Sequence, residues 1–173
     1  MKTIYLVIAG VLILIAMHLL SSYAFKKYEL PYYKETVGPN RTIIHFTDSS
    51  LEVDNALLYY TESYIKSAID AGIDVPELSK NLLGLYIELI PVNRWGVTMK
   101  NSQGQYFILI STAVTTENKL RLVIFHELTH YYLLPNGEHC HEVCGDIMSG
   151  EAGFNNFYRN WEQQKAILFN AEL

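Results

Sequence analysis

The stretch Thr115–Pro135, TTENKLRLVIFHELTHYYLLP, decides how the rest of the chain is read. Thr115 or Thr116 can cap a helix, Glu117 suits the positive end of its dipole, and Pro135 closes it. Ten of the fifteen residues from Leu120 to Leu134 are apolar, which predicts a helix enclosed on most sides. The polar exceptions in it are therefore the informative residues. His126 and His130 stand four apart, about 40° from one another around the helix and one turn along it. Glu127 lies next to their face. Such groups are costly in apolar surroundings unless they are paired or bound to a metal.

Two imidazoles so placed can grip one metal ion at ~2.0–2.1 Å. The neighbouring carboxylate then reaches a metal-bound water rather than the metal. That division of labour belongs to zinc hydrolysis, in which the metal acidifies the water, the glutamate takes its proton and the scissile carbonyl is polarised. The plainer reading is two satisfied core histidines beside an incidental acid. A catalytic zinc site also needs a third protein ligand and an open fourth position. Candidates are concentrated just downstream, in Glu138-His139-Cys140-His141-Glu142-Val143-Cys144-Gly145-Asp146-Ile147-Met148-Ser149. His139 is the first choice for third ligand and His141 the second, because neutral imidazole completes a three-histidine site without adding charge. Both cysteines of the chain and four of its six histidines fall between His126 and Cys144.

Working outward, Thr42–Phe46 reads as a short strand, and Asp48, Ser49 or Ser50 as the cap of a helix reaching about Ala71, where Gly72 stops it. Leu82–Ile90, Trp95–Met99 and Gln105–Ile110 read as further strands, with a turn at Asn101-Ser102-Gln103-Gly104. A last helix covers about 155–170. The order strand, helix, strands, helix, loop, helix predicts a single α/β (α+β) domain over residues 41–173. Residues 26–40, interrupted by Pro31, Gly38 and Pro39, read as a stalk.

No charged residue occurs from Thr3 to Phe25, and a helix of these 23 residues would reach ~35 Å, enough for a ~30 Å hydrocarbon layer. Residues 1–25 are thus a signal anchor, or a signal peptide cleaved after the small residues Ser22 and Ala24. The expected location is membrane-anchored with an extracytoplasmic domain, or secreted; the flanking lysines do not favour a cytoplasmic amino terminus. A net charge of −5 argues against nucleic acid as a partner. Two cysteines are too few for a disulfide scaffold.

The sequence from His126 to Met148 resembles the metzincin clan of zinc peptidases, and His139-Cys140, Cys144 and Met148 are particularly similar to the archaemetzincin branch. The resemblance implies a zincin-like fold: a small mixed sheet, an active-site helix, a turn at Asp146-Ile147-Met148-Ser149 whose methionine floors the site, and a C-terminal helix. It further implies one zinc ion held by His126, His130 and a third histidine, Glu127 as general base, and an edge strand that binds a peptide or protein substrate. The strand Gln105–Ile110 is the one expected to take that role. Two positions depart from the clan's pattern, with Leu133 where a glycine and Asn136 where a histidine is usual; Asn136-Gly137 would then make the turn. The further cysteine pair that archaemetzincins use for a second zinc has no counterpart, so Cys140 and Cys144 are expected to form a local disulfide if exported.

The sequence therefore predicts a zinc-dependent endopeptidase. Three alternatives stay open. The same five residues resemble the thermolysin-type motif, with Glu151 on a later helix as third ligand. A non-catalytic, membrane-tethered domain holding zinc for structure, closed by Cys140 or Cys144, is another. A membrane-tethered interaction domain with no metal is the last.

Overall fold

In the computed structural model the described residues are 13, 15, 32–90, 94–133, 146–148 and 160–170. The chain divides into two units, Met1–Pro31 and Tyr32–Leu173. Of the first, only Ile13 and Ile15 are described, both helical. The anchor or signal helix expected over residues 1–25 otherwise lies outside the described residues, as do His139, Cys140, His141, Cys144 and Glu151. Among the described residues no helix is long and apolar enough to cross a membrane.

The second unit is a mixed α/β arrangement built on a six-stranded sheet: β1 (Tyr33–Thr36), β2 (Arg41–His45), β3 (Ser50–Asp54), β4 (Leu82–Glu88), β5 (Gly96–Lys100) and β6 (Tyr106–Ser111). Their spatial order is β1-β2-β3-β4-β6-β5. The first three strands are antiparallel, β3, β4 and β6 run parallel, and β5 returns antiparallel along β6. Alternation explains the sheet. Thr42 and Ile44 face Val53 and Leu51 across the β2–β3 ladder, all four buried, while Arg41, Ile43, Glu52 and Asp54 between them are not. Leu85, Ile108 and Ile110 continue the buried surface through the middle of the sheet.

Among the described residues four helices accompany the sheet: α1 (Asn55–Asp70), α2 (Val75–Leu78), α3 (Glu117–Tyr132) and α4 (Trp161–Asn170). Short 3-10 turns stand at Ser79–Asn81 and Asp146–Met148. α1 buries a stripe spaced by three and four, formed by Leu57, Tyr60, Thr61, Tyr64, Ile65 and Ala68. Gly72 ends it at φ 85°, a conformation that side chains rarely adopt, with its N–H donated to the Ile69 carbonyl. Thr116 caps α3 by accepting a hydrogen bond from the Lys119 N–H, and Glu117 opens the first turn as expected. α1 and α3 lock together through Tyr64 and Phe125, whose rings meet edge-on at 5.1 Å. Trp161 and Phe169 of α4 close over the same pair, at 4.8 Å from Phe125 and 5.2 Å from Tyr64.

Three expectations change. The stretch expected to be a stalk contains β1, whose ladder with β2 ties Tyr33 to His45 and Thr36 to Thr42. The segment read as the start of a helix is a hairpin strand: Phe46 donates to the Ser49 carbonyl, and β3 follows before α1 begins. Asp54 stands at the cap position of α1, yet its carboxylate accepts instead from the Ile87 N–H at 2.7 Å and pairs with Arg41 at 3.4 Å. Lastly, Gln105–Ile110 was expected at the edge. The strand found there, β6, is an inner strand flanked on both sides, so its backbone has no room for a peptide. β5 holds the edge. The two are joined by the expected turn, in which Asn101 Oδ1 accepts from the N–H groups of Gln103 and Gln105 and Gly104 takes φ 82°.

Candidate active site

α3 is enclosed much as its composition demands. Leu122, Val123, Ile124, Phe125, Glu127, Leu128, Thr129 and Tyr132 are all buried, and no single stripe contains them. Tyr64 and Tyr132 lie fully within the core, and burial pushes both phenols up. Thr129, also buried, donates to the Phe125 carbonyl one turn back, at 2.7 Å. Tyr132 shares a 2.6 Å hydrogen bond with Ser79 from the 3-10 turn ahead of β4. These contacts fix the rotation of the helix, and with it the direction in which His126 and His130 project.

The two rings stand at 82° with centroids 4.6 Å apart, and their Nε2 atoms approach to 3.1 Å. His126 Nδ1 lies 2.7 Å from the carbonyl oxygen of Ile147. A carbonyl only accepts, so Nδ1 carries a proton, and in the neutral ring Nε2 keeps its lone pair. A backbone carbonyl that fixes the tautomer of a histidine is the usual outer support of a metal ligand. Two ligands of a tetrahedral zinc at ~2.0–2.1 Å lie about 3.3–3.4 Å apart, so the observed spacing needs only a small opening. The donor atoms thus fit a zinc ion, and equally form an imidazole–imidazole hydrogen bond without one.

Ile147 belongs to the Asp146–Met148 turn, which is seated under α3 with Ile147 and Met148 almost wholly buried. Met148 therefore stands in a 3-10 turn whose Ile147 carbonyl meets His126 of α3. His139 and His141, the two candidates for third ligand, lie outside the described residues, and so does Glu151. Among the described residues no group of three or more His, Cys, Asp or Glu gathers where it could hold a metal ion.

Glu127 is 6% exposed and points to the edge strand. Its Oε2 accepts from the Thr98 hydroxyl at 2.9 Å. Burial pushes its carboxyl up to about 7, against the opposing influence of the Thr98 hydrogen bonds and the Arg94 charge. A carboxyl in that range can both take and return a proton near neutrality.

Thr98, Gly96 and the Ile147 carbonyl escaped sequence reasoning. The strand carrying the first two was legible, but nothing in its composition says that it borders α3. A backbone carbonyl leaves no trace in a sequence at all. Compared with known proteins, the chain matches no protein family, no curated protein and no solved structure.

Proposed function

We propose that this protein is a zinc-dependent metallopeptidase of zincin-like fold, similar to the metzincins, cleaving peptide bonds within a peptide or protein substrate. One observation carries the reading: two helical histidines bring their Nε2 atoms to 3.1 Å from each other, with the tautomer of one set by the turn beneath it. The buried glutamate next to them supports it, because a carboxyl shifted toward neutrality is suited to general-base work.

His126 and His130 would hold the ion, with His139, or His141 in its place, as third ligand. Zinc so bound supplies an acidified water and polarises the scissile carbonyl. Glu127 removes the proton from the attacking water and later passes it to the departing amine. β5 offers its outer backbone edge to an extended substrate, which adds to the sheet as a further strand. Gly96–Lys100 takes over the role that the sequence had given to Gln105–Ile110. The Asp146–Met148 turn supports the site from below, with Met148 as its hydrophobic floor. In keeping with the apolar run near the amino terminus, the domain works outside the cytoplasm, tethered to a membrane or secreted.

The test is zinc content by elemental analysis together with hydrolysis of fluorescently labelled casein. The wild type is expected to hold one zinc and to cleave. Glu127→Ala is expected to keep the zinc and lose hydrolysis, and His126→Ala to lose both. Variants His139→Ala, His141→Ala and Glu151→Ala identify the third ligand by which of them releases the metal. A wild type that binds no zinc after repletion sinks the reading, and one that binds zinc without cleaving reduces it to a structural metal site.

A further inference from the structure

The edge strand and the histidine helix meet at Glu127, with Val123 beside it. Gly96 and Thr98 are two residues apart in β5 and so face the same side of the sheet. Glu127 touches both. Its Oε2 accepts from the Thr98 hydroxyl at 2.9 Å, and the same hydroxyl stands 3.3 Å from the Glu127 main-chain carbonyl. On the Gly96 side, a Cβ would come within 2.7 Å of Glu127 Oε1, of Glu127 Cγ and of Val123 Cγ1. Carbon atoms do not approach so closely, so the strand passes the helix at this distance only because residue 96 has no side chain. The two oxygens of one carboxylate therefore have different surroundings.

We propose that Gly96 and Thr98 are positioning residues that divide the Glu127 carboxylate between two tasks. Thr98 holds Oε2, and the missing side chain at Gly96 gives Oε1 the room it occupies beside the strand, the position from which it would receive the proton of the attacking water. The inference rests on the peptidase reading and adds to it the residues that aim the base. A threonine hydroxyl suits the task. It donates one proton to an ionised oxygen, and Oε2 remains an acceptor after Oε1 has been protonated. The same hydrogen bond therefore lasts through proton uptake and release, and the side chain keeps its place. Valine has nearly the shape of threonine and no proton to donate; serine has the proton without the methyl. At position 96 a methyl group must displace something. Val123 is branched at Cβ and held in one helical rotamer, so the longer Glu127 side chain is the one that moves.

The experiment compares wild type, Thr98→Val, Thr98→Ser and Gly96→Ala as full-length, zinc-repleted proteins. Zinc content, kcat and KM on a fluorogenic peptide cleaved by the wild type, and crystal structures are measured for each. Thr98→Val is expected to lower kcat about 10- to 100-fold, with KM and zinc content unchanged. Thr98→Ser should recover most of that loss. Gly96→Ala should lower kcat and show Glu127 Oε1 displaced from the strand. A Thr98→Val enzyme with wild-type kcat, or a carboxylate that stays in place in both Thr98→Val and Gly96→Ala, overturns the inference while the peptidase reading stands. A wild type that binds zinc and cleaves nothing overturns both.

Discussion

α1 and α3 are both sixteen residues long, yet of the two only α3 buries an ionisable carboxyl, that of Glu127. α1 is an ordinary amphipathic helix. Its stripe from Leu57 to Ala68 faces the core, while Tyr59, 71% exposed, and Lys66 stand toward water. α3 is buried on most of its circumference, and its Glu127 and Thr129 are buried along with the apolar residues. A chain can hide polar groups only where partners are arranged for them. Here the partners come from three places outside the helix: Thr98 on β5, the Ile147 carbonyl on the turn below, and Tyr64 on α1, whose hydroxyl lies 3.4 Å from that of Thr129. The difference separates a helix that supports the fold from one for which the fold supplies an environment.

The contrast can be broken most forcefully where the helices touch. Phe125→Ala removes the ring packed between Tyr64 and Trp161, and chemical denaturation is expected to show a loss of about 3–5 kcal/mol. Tyr59→Ala, at the exposed face of α1, should stay within about 0.5 kcal/mol of wild type. Equal losses for the two would erase the distinction.

Glu127 sharpens it through pH. In the folded, metal-free protein burial raises this carboxyl from 4.5 to about 7, so the native state disfavours the charged form. A raised acid contributes its full stability below the unfolded pKa and loses it as pH climbs through the folded one. Stability of the metal-free protein should accordingly fall between about pH 4.5 and about pH 7, by up to about 3 kcal/mol. Glu127→Gln should flatten that decline and be the more stable protein at pH 8. An equal slope in both would assign the pH dependence to other groups. The smallest effect concerns how α3 begins. Thr116→Ala deletes the side-chain acceptor of the Lys119 N–H and is expected to cost about 1 kcal/mol in thermal or urea melts. No comparable loss is expected from Asp54→Ala through capping, because Asp54 does not cap α1. A loss there would come from the Ile87 N–H and Arg41 that it serves.

How far the sequence could be read follows from the same physics. α3 was legible as a helix and at its start, because Thr116 and Glu117 are local signals and the apolar run that follows them is long. β2, β4, β5 and β6 were legible as strands for a similar reason. β3 was not. Asp48, Ser49 and Ser50 are good helix caps, and Leu51 with Leu58 fits a helical spacing as well as Leu51 with Val53 fits a strand. The choice was made by pairing with β2 and by the competing use of Asp54. β1 is Tyr-Lys-Glu-Thr with all four residues exposed, so no alternation marks it and only the ladder with its neighbour makes it a strand. The exchange of β5 and β6 at the sheet edge has another cause. Chain order does not specify lateral order when a hairpin can dock by either arm.

That hairpin has a consequence for the order of assembly. Lys100 and Tyr106 are paired across a tight reversal, and such a unit closes in roughly 1–10 µs from contacts close in sequence. Its inner arm must then enter a parallel ladder against β4, and its outer arm must bring Thr98 to Glu127, 29 positions along the chain. Distant encounters of this type are slow to form. The contact between Thr98 and Glu127 is thus expected among the later ones to mature.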